Sequence, residues 1–119
     1  MADYGLFIGW GPDSVRGREA KSLEVFNESV EYWGRLQQEG RIESFDVAFL
    51  EPHGGDLGGF AMLRGDKDSL AALRFDDEFI RMSTRASLIV EKVGVVGAFI
   101  NNGLSGAISD FQEAIADLT

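Results

Sequence analysis

The sequence contains no cysteine, which excludes disulfides, thiolate nucleophiles and cysteine-ligated metals. It has one histidine, His53, so the clustered His and carboxylate spacing of a metal centre is missing too. No metal and no cofactor are expected. Basic residues are few: 11 Lys and Arg against 20 Asp and Glu leave a net charge of −9. Phosphate backbones need the opposite balance, so nucleic acid is not an expected partner. No window approaches the roughly 20 apolar residues that span a bilayer. The opening Met-Ala-Asp-Tyr-Gly also lacks the basic start and apolar run of a signal peptide. A cytoplasmic protein with no membrane partner is the expectation.

What remains is core material. The 119 residues are 45% hydrophobic and include nine phenylalanines and two tryptophans, enough for one folded domain spanning 1–119. Tyr4–Trp10 reads as a strand, with Tyr4, Leu6, Ile8 and Trp10 on one face and Gly5, Phe7 and Gly9 on the other. From Arg18 to Gln38 the period becomes helical, and Leu23, Phe26, Val30 and Trp33 line one face. Gly40 is placed to cap that helix. Arg41–Leu50 alternates as a second strand, and Phe60–Leu63 begins a third that ends at Arg64-Gly65-Asp66. Asp66 is placed as a helix N-cap. The helical stretch that follows, to Val90, restarts at Arg74-Phe75-Asp76-Asp77, where acidic residues suit a helix N-terminus. Val93–Ile100 is a fourth strand, apolar on both faces. Ile108, Phe111, Ile115 and Leu118 mark a final amphipathic helix over about 104–118.

This order is strand, helix, strand, strand, helix, strand, then an added helix. It predicts an α+β, ferredoxin-like βαββαβ fold: a four-stranded antiparallel sheet with helices on one face. The other face keeps Phe7, or Val96 and Ile100, and needs a cover. A second copy of the same sheet is the simplest one. On that element order, over about residues 4–100, the chain resembles the dimeric α/β-barrel superfamily. Its members include the antibiotic-biosynthesis monooxygenases, the stress-responsive barrel proteins and the YCII-related proteins. The resemblance implies a homodimer in which two sheets form a barrel.

The remaining stretch is Glu51-Pro-His-Gly-Gly-Asp-Leu-Gly-Gly-Phe60, a wide hairpin connection with the lone histidine and four glycines. Phosphate loops run from a strand into a helix, whereas this one runs into a strand, so its glycines serve the turn. With sheet order 4-1-3-2, Trp10, Arg16, Arg18, His53 and Asp56 meet at one edge with Glu91 and Lys92. His53 is a candidate general base oriented by Asp56, an imidazole being suited to that work near neutral pH. The YCII-related group is associated with a histidine–aspartate pair, which His53 and Asp56 loosely resemble. Trp10, Arg18 and Phe60 are candidate ligand contacts. Each has a structural alternative: a turn-capping histidine, an arginine paired to Asp13 or Glu51, and aromatics that are plain core.

Three functions fit these residues. One is a homodimer that binds a small hydrophobic or aromatic ligand without catalysis. Another is a cofactor-independent oxygenase or isomerase that uses the His53/Asp56 loop. The third is an interaction module that docks a protein through the C-terminal helix. Whether the protein is an enzyme is left open by the sequence.

Overall fold

Alternation and helical period separate the chain into eight elements in the computed structural model, which describes residues 1–119. In order they are β1 (Tyr4–Trp10), α1 (Glu19–Gln38), β2 (Ser44–Phe49), β3 (Gly59–Gly65), α2 (Lys67–Leu73), α3 (Asp77–Ser87), β4 (Gly94–Phe99) and α4 (Gly103–Leu118). The sheet order is β2-β3-β1-β4 and every neighbouring pair is antiparallel. This is the expected α+β, ferredoxin-like fold with an added C-terminal helix. The long helical stretch is broken as expected. Asp66 caps α2, its carboxylate accepting the Ser69 amide at 3.0 Å, and Asp76 precedes α3.

The core lies between the sheet and α1–α3. Leu6 and Ile8 of β1, Ala61 and Leu63 of β3, and Leu70, Leu73 and Phe79 from the helices are all buried. The buried stripe of α1 corrects the sequence reading: it is Val25, Ser29, Tyr32, Trp33 and Leu36, while Leu23 is 63% exposed. Ser29 tolerates burial because its hydroxyl donates to the Val25 carbonyl at 2.8 Å. Tyr32 is only 1% exposed, and burial, the largest cause, pushes its phenol up to about 12, so it is a neutral core group. The helix ends as its sequence implies. Gly40 takes φ +76°, the Gly40 amide bonds Gln37 and the Arg41 amide bonds Leu36, a Schellman motif.

Register decides what the second sheet face shows. Phe7 pairs with Met62 and with Val96, so these three share the face turned away from the helices. Phe7 stacks on Phe60 there, with ring centroids 5.3 Å apart. Arg64 and Asp46 add one ion pair at 2.6 Å. Apart from Ser44 the rest of this face is apolar or glycine and no element of the chain covers it, and Val96 is 57% exposed.

Leu63 is fully buried on the helix side of β3. Leu63→Ala is expected to destabilise the fold by about 2–5 kcal/mol through lost burial and a residual cavity. Urea denaturation followed by tryptophan emission measures this, and a loss under about 1 kcal/mol contradicts the packing described.

Candidate functional site

The cavity arises because the ends of β1 and β2 overrun the helix layer. After Trp10 the chain is pinned to the end of α3 by Gly11 and Val15 amides that donate to Glu91 at 2.7 Å and Ile89 at 2.9 Å. The Glu91 amide donates in turn to the Asp13 carbonyl at 3.2 Å, and Ser22 of α1 donates its hydroxyl to the Ile89 carbonyl at 2.9 Å. On the other side, the 51–58 connection closes at its base. The Gly58 amide donates to the Trp10 carbonyl at 2.7 Å, and the Leu50 amide donates to Gly58 at 2.8 Å. A Cβ at position 58 would lie 2.5 Å from Gly11 and Pro12 backbone atoms, so this close approach requires glycine.

Between these two closures lies a cavity of about 880 Å³. Ile8, Val25, Ser29 and Trp33 line it from the core side, and Trp10, Phe26 and Phe49 form an aromatic wall. Phe26 sits 4.8 Å from Phe49 and 6.2 Å from Trp10 by ring centroid, and Trp10 meets Phe49 edge-on at 6.1 Å. The 51–58 connection, residues 11–14 after β1, the start of α1 and residues 90–93 complete most of the lining. The volume falls within the ~300–1,000 Å³ common for small-molecule sites.

His53, Asp56 and Trp10 line this cavity together with Glu91 and Lys92, as the topology implied. Two expected neighbours do not. Arg18 and Arg16 are exposed outside the lining, because Arg18 occupies the cap of α1, where its carbonyl receives the Ser22 amide and hydroxyl. Arg18 makes no salt bridge with Asp13 or Glu51. Phe60 lies on the opposite sheet face, against Phe7, because the period of two turns it away from Gly59 and Ala61. Phe26, which its spacing places on the core stripe of α1, instead flanks the cavity beside Phe49.

Nor does Asp56 orient His53. The His53 Nδ1 accepts from the Gly55 amide at 3.2 Å and its Nε2 meets the Leu57 carbonyl at 2.8 Å, which assigns the proton to Nε2. Both ring nitrogens therefore hold the loop's own turn. Asp56 bonds Lys92 Nζ at 2.6 Å instead. This hydrogen bond and the attendant charge pull the Asp56 carboxyl below its ordinary range and push the Lys92 ammonium up. Lys92 holds φ +60°, a left-handed backbone that a non-glycine residue adopts at some cost. The charged part of the lining is mainly acidic: Asp13, Glu19, Glu51 and Glu91 join Asp56, with Lys92 the only Lys or Arg.

No protein-family model matches the chain, and no curated protein matches it in sequence. Solved structures do match its fold. A dimeric ferredoxin-like protein of unknown function from Bacteroides fragilis NCTC 9343 aligns with a TM-score of 0.60, covering 82% of this chain and 95% of that one at 12% identity. SnoaB, a cofactor-independent oxygenase from Streptomyces nogalater, aligns with a TM-score of 0.55 over 84% and 95% of the two chains at 16% identity. An ethyl tert-butyl ether d (EthD) family protein from Bacillus halodurans C-125 reaches 0.61 over 85% and 100% at 12% identity. At such identities the likeness establishes the fold alone.

The Asp56–Lys92 bond ties the hairpin loop to the β4 side. Since the folded carboxyl is held below its unfolded value, the bond contributes above about pH 4 and is lost as pH falls through Asp56's lowered value. Trp10 emission and loop amide shifts are expected to change across that acid window, while Asp56→Asn shows the loosened loop already at pH 7. Identical loop spectra for wild type and variant at pH 7 contradict this coupling.

Proposed function

We propose that this protein binds a small hydrophobic or aromatic molecule, as a cytoplasmic homodimer. The cavity beside the 51–58 loop, with its Trp10–Phe26–Phe49 wall, carries the reading. Aromatic walls give large contact area and accept flat ligands by stacking or edge contact. The acidic mouth favours neutral or cationic ligands over carboxylates, because Lys92, its one basic residue, is already held by Asp56. Self-association is supported by the uncovered apolar face around Phe7, Met62 and Val96 and by the dimeric state of the Bacteroides fragilis protein. None of the helices is long and apolar enough to cross a membrane.

A second reading makes the same cavity catalytic, in a cofactor-independent oxygenase or isomerase. The position of His53 in the lining favours it, and SnoaB shows that a protein of this fold runs such chemistry. In that case His53 acts as base only after the loop releases one of its two ring contacts.

Titration with neutral, cationic and anionic naphthalene derivatives, read by tryptophan quenching and thermal shift, separates the readings. Neutral and cationic probes are expected to quench and stabilise, and Phe26→Ala to weaken binding by about tenfold. A panel with no quenching and no stabilisation sinks the ligand reading. If a bound compound is turned over, His53→Ala is expected to abolish turnover while leaving binding in place. Undiminished turnover in that variant rejects the base.

A further inference from the structure

The helix α4 leaves the domain in a fixed direction and then touches little of it. Its root is tied to the N-terminus: the Ile100 amide donates to Asp3 at 3.1 Å, the Asn101 side-chain amide donates to Ala2 at 2.6 Å, and Gly103 packs against the Asp3 backbone. Beyond that root no residue of α4 is buried. The chain measures 53 Å along its longest axis, and its radius of gyration is 16.1 Å. A compact domain of this length has a radius near ~13.5 Å. The excess reflects the projecting arm.

The arm has a pattern. Leu104, Ile108, Phe111, Ile115 and Leu118 follow at steps of four, three, four and three, and all are between 47% and 89% exposed. This is the period of 3.5 residues that lets one helix pack along another. The positions beside the stripe are Ser105, Ala107, Gln112 and Ala114, none charged and three of them small. Asp110, Glu113 and Asp117 are the only charges on α4 and lie away from the stripe.

We propose that α4 is a dimerisation arm, with its apolar stripe packed antiparallel against the same stripe of a second copy of this chain. Charge selects this occupant. A helix that settles on lipid carries lysine and arginine beside its apolar face, and α4 has neither. Self-pairing, in contrast, brings no like charges together, because the positions at the seam are neutral and the acids face outward. A two-fold contact also needs a surface complementary to itself, which a stripe centred on Phe111 provides.

Area points the same way. A stable interface takes ~20–30 residues from each partner, and one face of four short strands presents only about a dozen. The five stripe residues of α4 and the four beside them make up the difference. The arm and the bare sheet face then form two contacts of one assembly.

The test uses the full chain. Light scattering and sedimentation at micromolar concentration are expected to show a dimer. The double substitution Ile108→Glu and Phe111→Glu is expected to weaken it about a hundredfold or more, with circular dichroism and tryptophan emission unchanged. Because the sequence has no cysteine, Phe111→Cys gives a single thiol at the centre of the seam. Mild oxidation should link two copies through it, whereas Glu113→Cys, on the outward face, should not link. A monomeric full chain, or a dimer unmoved by the double substitution, overturns the proposal. So does a charged variant that dissociates while Phe111→Cys fails to link, since α4 would then lie on a different surface.

Discussion

The register of β1 is the constraint from which the rest of the structure follows. Leu6 is paired with Leu63, Phe7 with Met62, and Gly9 with Phe60. A slip of one residue would turn Leu6 and Ile8 outward and bring Phe7 into the helix layer. The observed pairing instead gives the helices a face of Leu6, Ile8, Ala61 and Leu63, all buried. It leaves Phe7, Met62 and Val96 on the other side, beyond the reach of any helix in the same chain. One choice of pairing thus creates both the core and the apolar face that no helix of the chain covers.

The cavity is the second product of the same register. Trp10 ends the helix-facing row of β1 past the point where Leu6 and Ile8 are covered, so its ring stands against Phe26 and Phe49 at the edge of the layer. The two closures around it differ in kind. The Gly11, Val15 and Glu91 bonds are backbone pairs between distant segments, which side-chain changes do not remove. The Asp56–Lys92 bond lies at the surface, with the two side chains 84% and 55% exposed, and is open to salt and acid. Wall and floor are fixed by the fold, and the rim is adjustable.

Much of this was legible in the residues. Short apolar runs bounded by turn residues, alternating in the second, marked the four strands, and the Asp66 and Asp76 signals located the break between α2 and α3. The rotation of α1 was not legible, since Ser29 and Tyr32 do not count as apolar until a Val25 carbonyl and a buried site are there to receive them. Topology brought His53, Asp56, Glu91, Lys92 and Trp10 to one edge, yet adjacency in the loop suggested the wrong partner for Asp56. Its real partner is 36 residues away, and no spacing rule connects them. Arg18 and Phe60 failed for a simpler reason. Chain position places a residue near an edge, but the direction of its side chain depends on helix phase and strand parity.

The base of the 51–58 connection is closed by its own pair of bonds, Gly58 to Trp10 and Leu50 to Gly58. The seven residues between Leu50 and Gly58 therefore form a ring whose ends are held whatever its contents. Lengthening such a ring costs only slowly growing loop entropy, about 0.6 kcal/mol per doubling, and leaves the strand register untouched. Descendants of this sequence could exchange the whole tip, histidine included, and inherit the scaffold intact. On this fold a segment that lines the cavity is also one that evolution can rewrite at little structural cost.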